Sequence, residues 1–185
     1  MAEQNVLKQI ICELDNIEGS VQENQLLEFA SLIQKADHVF VGGVGRSGFS
    51  ARSFANRLMH LGLSVYFVGE TTTPAIGEGD VLVLCTGSGE TGSLKEIAKR
   101  AKSCGAKLAC VTISDKSTIG AMADAAVLVP GASSKIESGE NKSIQPMGSA
   151  FEQMSLLIFD SVVMILMDRL HETSEEMFAR HANLE

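Results

Sequence analysis

The stretch Val39-Phe40-Val41-Gly42-Gly43-Val44-Gly45-Arg46-Ser47-Gly48 restricts this chain more than any other. Val39 to Val41 is a short apolar run of the kind a buried strand makes. The glycines after it let the backbone turn sharply and bring N–H groups close to a ligand. From Ser47 the chain reads as a helix, with Phe49, Phe54, Leu58 and Leu61 on an apolar side. A helix N-terminus aimed into such a turn is an anion site, because its first N–H groups lack intrahelical partners and the dipole is positive there. A second unit of the same kind follows: a strand at Val81–Cys85, the turn Thr86-Gly87-Ser88-Gly89-Glu90-Thr91, and a helix over Gly92–Ser103. Capping needs one hydroxyl, and this turn has three, together with two glycines; that inventory suits a dianionic phosphate. The two turns are expected to hold one phosphorylated small molecule.

Further strands are predicted at Ser64–Val68, Lys107–Ile113 and Ala126–Val129, with a short helical piece at Ile119–Ala123. Apolar strands alternating with helices predict an α/β fold, a three-layer doubly wound sandwich around a five-stranded parallel sheet. The order 2-1-3-4-5 sets the first and third strands side by side, sends their connections to opposite faces, and opens a crevice at their carboxyl ends. Both glycine-rich turns follow those two strands. Ahead of the sheet, residues 1–37 hold two amphipathic helical patterns, one through Val6, Ile10, Leu14 and Ile17, the other through Leu26, Phe29, Ala30 and Ile33. A DNA-reading helix pair is disfavoured, since Lys8 and Lys35 face the acids Glu3, Glu13, Asp15, Glu18, Glu23, Glu28 and Asp37. A packing or oligomer-forming role is expected instead. After the sheet come a loop at Pro130–Gln145, a long helix Met147–His171 opened by Pro146, and a tail over 172–185. That long helix is apolar nearly all round, which predicts burial at a subunit interface.

At 185 residues the chain is expected to form a single domain. Its net charge of −8 argues against nucleic acid and acidic membrane partners, so local groups must attract any anion. Met1 to Gln9 lacks a signal pattern, and the apolar run Met154–Met167 is interrupted and short for a bilayer, so a cytoplasmic protein is expected. Cys12, Cys85, Cys104 and Cys110 lack metal or disulfide spacing and read as reduced thiols; neither a metal nor another cofactor is expected. Gly43 to Gly48 also fits the dinucleotide fingerprint G-x-G-x-x-G, with Glu70 near the place of a ribose-binding acid. Against that reading, no second domain remains for a hydride acceptor, and Arg46 and Ser47 suit a terminal phosphate better than a pyrophosphate.

The pair VGGVGRSG and CTGSGET resembles the sugar isomerase (SIS) domain, whose second loop typically reads S-x-S-G-x-T; Thr86 keeps the hydroxyl where many members have Ser. Within that domain the chain resembles the 6-phospho-3-hexuloisomerase family. The narrower likeness rests on Gly45–Gly48, on Ile144-Gln145-Pro146-Met147-Gly148-Ser149-Ala150-Phe151-Glu152-Gln153, and on the ending Met177 to Glu185, and it covers essentially the whole chain. It implies isomerisation of D-arabino-hex-3-ulose 6-phosphate to D-fructose 6-phosphate in the ribulose monophosphate route of formaldehyde fixation. It also implies substrate binding by Gly45, Arg46, Ser47 and the loop Thr86, Gly87, Ser88, Gly89, Glu90 and Thr91, with Ser47 and that loop on the phosphate and Glu152 as proton acceptor. A homotetramer with active sites near subunit boundaries belongs to the same implication.

On the residues alone, Glu152 reads either as a general base or as an acid stabilised in the first turns of a helix. It shares a helical face with Leu156, Phe159 and Val163, and apolar neighbours make a purely structural acid costly, which favours the base. A second group must stabilise charge on the reacting oxygens. Arg46 is one candidate, though it could equally hold phosphate; His181 is the other, delivered from a neighbouring subunit or else merely an interface histidine. His38, His60 and His171 read as helix-end or surface residues. Another SIS isomerase, such as an arabinose 5-phosphate isomerase, and a non-catalytic phosphosugar-binding module are the alternatives.

Overall fold

The apolar runs become the strands of one parallel sheet in the computed structural model, which describes residues 5–129 and 143–184. In chain order the elements are α1 (Val6–Glu18), α2 (Glu23–Gln34), β1 (Val39–Gly43), α3 (Gly45–His60), β2 (Val65–Phe67), β3 (Val81–Cys85), α4 (Gly92–Ser103), β4 (Lys107–Thr112), α5 (Thr118–Met122), β5 (Ala125–Leu128), α6 (Ser149–Leu170) and α7 (Ser174–Ala179). The strands lie in the order β2-β1-β3-β4-β5, as the sequence predicts, and every pairing is parallel. Element ends differ from the predicted ones by a residue or two, where caps fray.

Alternate strand residues face opposite layers. Val41, Val83 and Val111 point to a layer that holds α1, α2, α3 and α6, whereas Leu82, Leu84 and Leu108 point to α4 and α5. The layer of four helices is held together by aromatic contact: the Phe54 and Phe159 rings stack at 4.3 Å between centroids, and both are fully buried. Truncating a buried phenylalanine costs roughly 3–5 kcal/mol, so this contact fixes α6 on α3. The two helices run parallel: Ser50 meets Glu152 near their starts, and His60 and Met167 line one groove near their ends.

Three expectations change on folding. Pro146 does not open the long helix: Met147 takes a positive φ of 57°, the Ser149 N–H donates to the Pro146 carbonyl in a turn, and α6 starts at Ser149 with Gly148 as its N-cap. His60 ends α3, as expected of a helix-end residue, yet it is buried, because the tail folds back on it: Arg180 Nη1 donates to the His60 carbonyl and the His181 ring stacks on the His60 ring. Phe49, five residues before Phe54, falls off the core-facing i, i+4, i+7 stripe and is 71% exposed. Of the expected loop at Pro130–Gln145, residues 130–142 lie outside the described residues. As folded, α6 has 22 residues and meets the length and composition of a membrane span, although half of its most apolar window is buried against the rest of the chain. A long core helix of a globular layer has these same properties.

Candidate active site

β1 and β3 are neighbours, with Gly43 opposite Cys85, so the two glycine-rich turns leave the same edge of the sheet side by side. Gly43 has no room for a side chain: a Cβ there would stand 3.2 Å from the Cys85 carbonyl oxygen and 3.0 Å from Gly48 Cα. A Cβ on Gly48 would come 2.7 Å from the Gly43 oxygen, so this glycine lets the first turn of α3 close onto the end of β1. Gly45 instead supplies a backbone shape, a φ of +60° that other residues adopt rarely. The N-caps Val44 of α3 and Thr91 of α4 make no side-chain capping hydrogen bond, which leaves helix N–H groups at both turns without a side-chain acceptor among the described residues.

Within the second turn the hydroxyls divide their duties. The buried Thr86 Oγ1 accepts from the Gly89 N–H at 3.2 Å and Ser88 Oγ accepts from the Glu90 N–H at 3.2 Å, so both lock the turn while their O–H groups remain donors. The Glu90 carboxylate is engaged elsewhere: it accepts from the Thr118 N–H at 2.6 Å, the Thr118 hydroxyl at 2.9 Å and Lys95 Nζ at 3.0 Å. These bonds, the Thr118 N–H foremost, hold the Glu90 carboxyl down to about 2. Ser47 is half-buried in the first turn, and its hydroxyl has no hydrogen-bond partner among the described residues.

Glu152 stands in the first turn of α6, next to this edge. Gly87 of the second turn has the Phe151 ring against it, where a Cβ would meet Cδ1 at 3.3 Å. Burial pushes the thiol of Cys85, at the end of β3, up to about 12; the Ser155 hydrogen bond opposes the rise and the charge of Glu152 adds to it. The start of α6 is itself anchored from afar: the Glu13 carboxylate on α1 accepts from the Ile144 N–H and from Gln145 Nε2, each at 3.0 Å. The Glu152 side chain is only 18% exposed and forms an ion pair with Arg46 Nε, while the Ser50 hydroxyl donates to the Glu152 carbonyl at 3.0 Å. Together with Phe49, Ser53, Gln153 and Leu156 these residues line a cleft of about 320 Å³ between α3 and α6.

Arg46 and Glu152 therefore meet, and both phosphate-type turns flank them on one edge of the sheet. His181 is not part of this group within one chain. It stacks on His60 at 5.3 Å, ten residues along α3 from Ser50, which is about 15 Å at the rise of a helix. Among the described residues no group of three His, Cys, Asp or Glu side chains is placed to hold a metal ion. Sequence reasoning missed Ser50, Ser53 and Glu13. The first two were within reach, since 46, 49, 50 and 53 share one helix face. Glu13 carried no signal, because its partners lie more than 130 positions away.

Residues 32–157 match the SIS domain family. The chain is 43% identical over 177 residues to a 3-hexulose-6-phosphate isomerase of Bacillus subtilis, covering 96% of each chain. A 3-hexulose-6-phosphate isomerase of Mycobacterium gastri is 40% identical over 181 residues, with 98% of this chain and 90% of that one covered. Among solved structures, a hypothetical protein of Methanococcus jannaschii, for which a 3-hexulose-6-phosphate isomerase function has been inferred, superposes with a TM-score of 0.82 at 33% identity, covering 98% of this chain and all of its own. The fold, the paired turns and these likenesses agree: this chain belongs to the SIS domain family.

Proposed function

We propose that the protein interconverts D-arabino-hex-3-ulose 6-phosphate and D-fructose 6-phosphate through a cis-enediol. The observation that carries this reading is the pairing of Glu152 with Arg46 in a cleft at the start of α3, on the edge where both glycine-rich turns leave the sheet. The substrate phosphate takes the N–H groups and hydroxyls of the turns, with Ser47 and Ser88 as side-chain donors and Gly45, Gly87, Gly89 and Thr91 shaping the backbone. Glu90 serves the site through its backbone and through the tie that holds its turn.

From the hexulose, Glu152 removes the proton at C2 as the C3 carbonyl becomes an enediolate oxygen. A proton passes from O2 to O3, and the proton held by Glu152 is delivered to C3, which leaves the carbonyl at C2. General-base action of this kind contributes roughly 10²–10⁴ in rate. Arg46 faces the developing oxygen charge, and fixed cationic donors are worth most in such a partly closed cleft. His181 acts on the reacting oxygens only if a second subunit brings it, since its own chain holds it against His60. Self-association is supported by apolar side chains left open on α6 and α1: Leu157 is 48% exposed, Met164 70% and Val6 64%. A homotetramer with shared sites, a cytoplasmic location and a place in formaldehyde fixation belong to the same reading.

The test follows solvent deuterium during incubation with fructose 6-phosphate. Label is expected at C3 of recovered fructose 6-phosphate and at C2 of the hexulose phosphate. Glu152→Gln is expected to slow exchange roughly 10²–10⁴-fold while the sugar phosphate still binds. Binding without exchange in the unmodified protein overturns the reading in favour of a phosphosugar-binding module.

A further inference from the structure

Gln153 follows Glu152 on α6 and lines the same cleft. Its amide oxygen is buried and has no hydrogen-bond partner among the described residues. Successive helix residues differ by 100°, so Glu152 and Gln153 project to either side of one line along α6, with Leu156 a turn further on. Buried polar atoms are nearly always paired, because an unpaired one loses its water without replacement. Two of the neighbouring polar groups are turned to Glu152 instead: Arg46 Nε pairs with its carboxylate and the Ser50 hydroxyl donates to its carbonyl. A methionine would fill nearly the same volume without that penalty. An amide neither gains nor loses a proton in the ordinary pH range, so it serves recognition and not proton transfer. The donor it lacks is one that a ligand in the cleft can bring. An open-chain hexulose phosphate carries such donors on C4 and C5, between the reacting carbons and the phosphate.

We propose that Gln153 is the specificity-determining residue of the cleft, its amide oxygen accepting a hydrogen bond from the C4 or C5 hydroxyl of the sugar phosphate. The inference rests on the sugar-phosphate reading above and assigns the group that reads the carbon chain. Ligands that keep the phosphate but lack the hydroxyl are discriminated against at this oxygen.

The test crosses one side chain with one hydroxyl. Dissociation constants for fructose 6-phosphate and its 4-deoxy and 5-deoxy analogues are measured by calorimetry on the full chain and on Gln153→Met, with Gln153→Leu as a second variant should the first fold poorly. Removing the recognised hydroxyl is expected to weaken binding roughly 3- to 10-fold in the unmodified protein and less than about twofold in the variant. The melting temperature of the variant is expected to equal or exceed that of the unmodified protein, because the substitution removes an unpaired buried acceptor. Equal losses in both proteins for both analogues overturn the proposal, and a lower melting temperature with no such coupling makes Gln153 a structural residue. Failure of the isomerase reading looks different: the coupling is present in binding, yet no deuterium is exchanged.

Discussion

The turns after β3 and after β4 hold equivalent places on the same edge of one sheet, yet the helices they feed begin differently. At α5 the N-terminus is satisfied from within: Ser117 Oγ accepts from the Gly120 N–H at 3.1 Å, the Ile119 N–H reaches the Gly89 carbonyl at 3.2 Å, and the Glu90 carboxylate takes the Thr118 N–H. At α4 the N-cap Thr91 makes no side-chain bond, and the same is true of Val44 at α3. Side-chain caps are also missing at α2 and α6, so an uncapped start points to a ligand only together with a glycine-rich turn, as at α3 and α4. Glycine parts the two turns as well: Gly87 and Gly89 follow β3, whereas residues 113–117 after β4 hold none.

Two serine-to-alanine substitutions are expected to part along that line. Ser47→Ala removes a donor to phosphate and no cap, so KM for the sugar phosphate rises roughly 10- to 100-fold with kcat nearly kept, and the melting temperature stays put. Steady-state kinetics and a thermal melt read this directly. Ser117→Ala removes a cap and no ligand contact; stability falls by about 1 kcal/mol in denaturant titration while KM holds. A rise in KM for Ser117→Ala as large as that for Ser47→Ala breaks the comparison.

The smallest effect concerns the tie between the two turns. The Glu90 carboxyl has an ordinary value of 4.5 and is held down to about 2, so its contribution is present above about 4.5 and is lost as pH falls towards about 2. The gap in melting temperature between the unmodified protein and Glu90→Gln is expected to be constant above pH 4.5 and to close between 4.5 and about 2. Because Glu90 is open to solvent, the gap is small and shrinks with salt. A gap that widens in acid contradicts the assigned hydrogen bonds.

Much of the architecture was legible because it depends on local pattern. Apolar runs such as Val81–Cys85 mark strands buried on both faces, and five of them alternating with helices suit the doubly wound order that brings the two glycine-rich turns together. Helical periodicity gave the face of Glu152, whereas its place beside the turns came from the family resemblance. What periodicity could not give is the use to which each polar group is put. Thr86, Ser88 and Glu90 look alike as donors and acceptors in the sequence, but two lock the turn and the third reaches across to Thr118, 28 positions away. Met147, whose positive φ delays the start of α6, has no sequence signal of the kind glycine provides. His181 was weighed as a second catalytic group against a plain interface histidine, and within one chain its ring stacks on His60.

The proposed grip on phosphate comes from crossovers that the sheet cannot lose without unfolding, whereas the proposed base comes from a helix that follows the last strand. The two inventories can diverge independently. On the proposed roles, a descendant that replaced Glu152 and kept the turns would still capture phosphorylated sugars but would no longer transform them.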